Sequence, residues 1–198
     1  MARTQQQRRE DTIARLLDAS IETIIEVGYA RASAKVIARR AEVSDGALFR
    51  HFPTMGDFMA ATAYEAGRRQ LEAAAKRIAD IGTEKPTLED VLTIMRDLTI
   101  NSTNTVLYEL AVAARTDEKL REALRGVMEV YLMKIYEEAR AALADDVEAL
   151  GEDNFAAQLA VVVNTLDGAA LFRHVLTHPR IDEQRIPALL TLWNAARP

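Results

Sequence analysis

Apolar residues recur every three or four positions along almost the whole chain, and no segment sustains the apolar–polar alternation of a half-buried strand. Ile13, Leu16, Leu17, Ile21, Ile24 and Ile25 lay one such stripe along a single helix face. Interruptions fall where glycine or proline stands, and with 8 Gly and 5 Pro in 198 residues they read as boundaries. The expected fold class is all-α, with about nine helices. The run LAVVVNTL, 159–166, is the best strand candidate, but it sits inside a longer helical pattern and reads as a buried helix.

Caps and breakers place the elements. The first helix is expected at about 7–27, stopped by Gly28. Short helices follow at about 34–40, capped by Ser33, and from residue 45 to about 49 or slightly beyond, capped by Ser44. Thr54 caps a long fourth helix reaching about residue 81, and GTEKP, 82–86, is the clearest linker. Further helices are expected at about 87–102, 105–114 and 118–144, the last capped by Asp117. DDVEALGED reads as a polar break, followed by an apolar helix at about 154–176. THPRID is a second break before a last helix at about 183–195.

Composition narrows the function classes. Hydrophobic residues make up 49% and charged residues 28%, which is globular and not disordered. No run approaches the roughly 18 uninterrupted apolar residues of a membrane span, and the polar start MARTQQQRRE argues against a secretory signal. With no cysteine, a disulfide framework, a thiolate metal site and a cysteine nucleophile are excluded, and a reducing cytoplasm fits. There are three histidines, no glycine-rich phosphate loop and no Ser-His-Asp arrangement, so an enzyme is not expected, nor a cofactor. His174 and His178 stand four apart, which would put both on one helix face, but nothing completes a metal set.

The net charge of −5 conceals an asymmetry. Residues 1–60 sum to +1 and the remainder to −6; residues 1–9 carry Arg3, Arg8 and Arg9 without an acid, and residues 28–52 hold five basic side chains against two acidic. Charge concentrated in this way is what a phosphate backbone senses within a Debye length.

That basic segment holds AKVIARRAEVSDGALFRHF, a short helix, a tight turn and a second short helix. Ala38 and Ala41 are small enough for two helices to cross closely, and Ile37, Val43 and Leu48 can bury against the first helix. Gly46 and Ala47 keep the second short helix slim enough for a major groove about 12 Å wide. Ser33 and Ser44 place hydroxyls and backbone N–H groups where phosphates bind.

The stretch TIARLLDASIETIIEVGYARASAKVIARRAEVSDGALFRHF resembles the DNA-binding region of the tetracycline-repressor-like (TetR) transcriptional regulators, through Ala19, Gly28–Tyr29, Ser33, Ile37–Ala38, Ala41, Val43–Ser44, Gly46, Leu48 and His51–Phe52. The resemblance implies a helix-turn-helix domain over 1–53 and a ligand-binding and dimerisation domain over 54–198. It implies phosphate contacts at Ser33, at Phe49 and near Met55. Bases would be read by Ser44, Asp45, Ala47 and Arg50 with Lys35, and the arm residues Arg8 and Arg9 and the His51 end complete the DNA surface. Three positions depart from the family's pattern: Glu42 replaces a turn glycine, Phe49 an aromatic hydroxyl, and Met55 a lysine.

A module of this size reads few base pairs alone, so a homodimer on a palindromic operator is expected. The resemblance points to the last two helices as the interface, with Val162, Leu166, Ala169, Ala170, Arg173, Leu189, Leu192 and Trp193 as candidates. Candidate liners of an effector pocket are Met95, Arg96, Thr99, Leu107, Tyr108, Met128 and Tyr131, a largely apolar set for an unidentified small molecule. The expected function is therefore a ligand-responsive regulator, most readily a repressor. The alternative is a helical small-molecule-binding or interaction protein with weakened or lost DNA binding.

Overall fold

The computed structural model describes residues 4–82, 85–176 and 178–197. Arg3, Thr83 and Glu84 of the expected linker, and Thr177 of THPRID, lie outside the described residues. Among those described there are ten α-helices and no strand: α1 Gln5–Val27, α2 Ala34–Arg40, α3 Asp45–His51, α4 Met55–Asp80, α5 Leu88–Thr99, α6 Ser102–Ala113, α7 Glu118–Ala142, α8 Ala144–Leu150, α9 Glu152–Phe172 and α10 Pro179–Ala195. A single 3-10 turn, Tyr29–Arg31, follows α1.

The all-α expectation stands, with one helix more and several boundaries moved. α1 starts earlier because Thr4 and Gln7 form a reciprocal capping box. The polar run expected to be a break contains α8: its Leu150 joins the core, and Asp146 is buried but bonded to the Trp193 indole at 2.7 Å. THPRID likewise opens α10, because Pro179 occupies the first turn, where a missing N–H costs nothing. Since α9 stops at Phe172 and His178 caps α10, His174 and His178 do not share a helix face.

The described chain divides into two compact units. The first comprises the residues up to Arg69 with Ser102–Tyr131; the second comprises Gln70–Asn101 and the residues from Leu132 onward. Unit 1 packs Leu16, Ile24, Ile37, Leu48, Phe58, Met59, Val106 and Leu110 into one core, so both short helices rest on α1 and α4. A buried hydrogen bond from the Thr62 hydroxyl to Ser20, 2.9 Å, satisfies two polar groups where α4 meets α1. Unit 2 has its own core of Val91, Leu92, Phe155, Leu159, Leu166, Ile186, Leu189 and Trp193. Phe155 and Trp193 meet there edge-on, centroids 5.7 Å apart.

α9 is long and apolar enough, by length and composition, to cross a membrane, with mean hydropathy 1.5 over its best window. Asn164 and Asp167 interrupt its apolar run, which is why no uninterrupted stretch of span length occurs there. Only 28% of that window is buried within the chain.

Candidate nucleic-acid interface

α2 ends and α3 begins as backbone chemistry dictates. The Val43 N–H reaches back to the Ala38 carbonyl at 2.9 Å and the Glu42 N–H to Arg39 at 3.2 Å, the paired bonds of a Schellman motif. Such a motif needs a left-handed residue just past the helix, and Glu42 occupies it at φ 55, the one non-glycine residue described with positive φ. Ser44 then caps α3, its hydroxyl accepting from the Ala47 N–H at 3.2 Å, and Ser33 caps α2 by accepting from the Val36 N–H. Both serines stay exposed.

Two of the five basic residues in this segment serve the fold. Arg31 donates to the Val27 carbonyl at 2.7 Å, closing the end of α1. Arg40 bonds Thr23 and pairs with Glu26, tying α2 to α1. Lys35, Arg39 and Arg50 are exposed and make no side-chain hydrogen bond or ion pair among the described residues. Arg8 and Arg9 are exposed on the first turns of α1. Burial lowers the His51 pKa below its usual value, and the positive fields of Arg9 and Arg50 lower it further.

On α3, Leu48 is fully buried and Ala47 and His51 are half-buried, while Asp45, Gly46, Phe49 and Arg50 face solvent. The expected reader Ala47 therefore stands at the margin of the outward face. Phe49, which the pattern treats as a defective phosphate contact, lies within that face at 45% exposure. Position alone could have found this, since 45, 46, 49 and 50 share one side of a helix on which 48 points inward.

The other expected residues fall in both units. In unit 1, Leu107 is buried, and Met128 and Tyr131 pack on the same core. The Tyr131 ring lies against Gly67, where an added Cβ would stand 2.9 Å from it. Tyr108 is half-buried in the same unit. In unit 2, Met95 packs on the core, Arg96 pairs with Asp97 at 2.8 Å, and the Thr99 hydroxyl donates to the Arg96 carbonyl at 2.7 Å.

Of the interface candidates, Val162, Leu166, Ala170, Leu189 and Trp193 are buried inside unit 2 itself. Arg173 donates to the Ile100 carbonyl at the end of α5, Ala169 is half-buried, and Leu192 is 66% exposed. The outward apolar residues are instead Val161, Leu171, Phe172, Val175, Leu176, Ile181 and Leu192. Val161, Thr165, Ile181, Ala188 and Leu192 border an open groove of about 790 Å³ along α9 and α10, with His178, Arg180 and Arg185 among its polar edges. Sequence periodicity marks α9 as apolar on more than one side but does not say which side packs on the core of its own chain.

An exposed helix-turn-helix on an all-α scaffold is the arrangement found in DNA-binding transcriptional regulators. The model of the bacterial regulatory proteins of the tetR family matches residues 16–62. The HTH-type transcriptional regulator Rv2912c of Mycobacterium tuberculosis is 60% identical over 195 residues, covering 98% of this chain and 99% of that protein. The HTH-type transcriptional regulator CymR of Pseudomonas putida is 28% identical over 127 residues, 64% of this chain and 63% of that protein. Among solved structures, a transcriptional regulator from Rhodococcus sp. Rha1 superimposes with a TM-score of 0.74 at 22% identity, covering 93% of this chain and 97% of that one. The multidrug binding protein EbrR, complexed with ethidium, gives a TM-score of 0.70 at 22% identity, covering 91% and 98%. This chain belongs to the tetR family of bacterial regulatory proteins.

Proposed function

We propose that this regulator is a repressor that binds a palindromic operator as a homodimer and is released by a small, mainly apolar effector. Residues 1–53 form the DNA-reading part and 54–198 the ligand-binding and dimerisation part, and the protein works in the cytoplasm. Lys35, Ser44, Asp45, Ala47 and Arg50 face the bases, while Arg8, Arg9, Ser33 and His51 lie along the phosphates. Leu107, Tyr108, Met128 and Tyr131 of unit 1 are the proposed effector contacts, and effector binding shifts the population toward a spacing of the two DNA-reading parts that no longer fits successive major grooves.

The observation that carries this reading is the division of labour among the basic side chains: Arg31 and Arg40 hold the fold, while Lys35, Arg39 and Arg50 stand exposed and uncommitted on the short helices. Selection from a random duplex pool, followed by a salt titration on the selected sequence, tests it. Affinity should fall steeply with salt, and Arg50→Ala should relax base preference by about 1–3 kcal/mol at one position per half-site. A pool that yields no bound duplex even at low salt favours the helical binding protein without DNA activity.

A further inference from the structure

We propose that Phe49 reads the C5-methyl group of a thymine in each operator half-site, a contact that rests on the DNA-binding reading above and sharpens it. Successive residues of α3 turn by about 100°. With Leu48 fully buried, the outward arc runs through Asp45, Phe49, Gly46 and Arg50 in that order around the helix. Phe49 thus sits inside the arc, flanked by an acid and by Gly46, with Arg50 closing the far side. The ring is 45% exposed, and the unit 1 core, which takes Val43, Leu48 and Phe52, does not include it.

The neighbouring position on the same face is bare: a Cβ added at Gly46 would meet nothing within 4 Å. An apolar ring beside an open strip, with exposed Lys35 and Arg50 on the same helix pair, has the shape and charge to approach a duplex. A phenyl ring neither donates nor accepts a hydrogen bond, so it has nothing to offer a phosphate oxygen. Along the major groove the apolar feature that distinguishes one base from another is the thymine methyl. Ala47, whose own methyl would suit the same contact, is half-buried at the margin of the arc.

The test uses full-length protein and an operator selected from random duplexes. Each thymine is replaced in turn by deoxyuridine, which deletes the methyl and keeps every hydrogen-bonding group. One thymine per half-site should respond, with affinity falling about fourfold for one methyl and about fifteenfold when both half-sites are changed. Phe49→Ala, at an exposed position, should unfold at the wild-type denaturant midpoint, bind more weakly, and lose all sensitivity to that methyl. Phe49→Leu should keep part of the sensitivity. A flat deoxyuridine scan overturns the proposal, as does a Phe49→Ala variant that weakens every duplex alike yet remains methyl-sensitive. Failure to select any duplex is a different result: it removes the DNA-binding reading itself, and this contact with it.

Discussion

Glu42 concentrates the tension between folding and sequence in this protein. The Schellman bonds at the end of α2 fix a left-handed residue, and a side chain there crowds its own backbone. Glu42→Gly should therefore raise unfolding stability by about 1 kcal/mol in a urea titration with an unchanged m-value; no gain would mean that the strain is relieved elsewhere. The position is legible in the sequence, because the family's turn glycine is missing there. Phe49 is half legible: its lost hydroxyl is visible, but its place within the outward face depends on Leu48 pointing inward. His51 carries a pH prediction. Burial, then Arg9 and Arg50, hold its pKa below the usual value in the free protein, and a phosphate brought against it favours the cation. Binding then takes up a proton, so affinity should rise as pH falls through the window between the free and bound pKa values of this group. His51→Gln should flatten that slope, measured as Kd from about pH 8 to about pH 6. A slope that persists in the variant would assign the proton elsewhere.

At the level of elements, α8 teaches most about what a sequence conceals. Its run of acids looks like solvent-exposed chain, yet the segment is helical and one of those acids is buried. Asp146 accepts from the Trp193 indole N–H at 2.7 Å and from Arg197, fastening α8 to α10 across 47 residues of sequence. No local pattern announces a bond of that separation. The helices legible in the sequence are those whose caps are local: Ser33 for α2, Ser44 for α3, and Asp117, which accepts from the Leu120 N–H at 3.0 Å, for α7. Removing the buried acceptor leaves an indole N–H without a partner, so Asp146→Ala should cost about 2–3 kcal/mol. Trp193→Phe deletes the donor along with the need for it, and the double variant should lose measurably less than the sum of the two singles in a thermodynamic cycle. Strict additivity would show that the bond contributes nothing.

For the whole molecule, the question is what covers α9 and α10. A helix with mean hydropathy 1.5 that buries only 28% of its apolar window within its own chain leaves a surface that water disfavours. The buried candidates Val162, Leu166, Leu189 and Trp193 are occupied by their own protomer, so the side open to a second copy is the other one, where Val161 is 59% and Leu192 66% exposed. Sequence pattern points to this pair of helices but not to their open side, because a helix as apolar as α9 shows no polar stripe to mark which face is which. If a second copy sits there, a charge placed on the outward side should separate the copies without disturbing the core. Val161→Asp combined with Leu192→Glu is expected to keep the helical circular dichroism of the parent while sedimenting as a monomer. Its affinity for the full palindrome should fall by about 100-fold or more, because linking two half-site readers in one particle supplies an effective concentration in the millimolar range. Affinity for an isolated half-site should stay within about twofold of the parent, since α3 and its neighbours in unit 1 are untouched. If the variant still sediments as a dimer, the interface lies elsewhere and the exposed apolar side of α9 and α10 serves another partner.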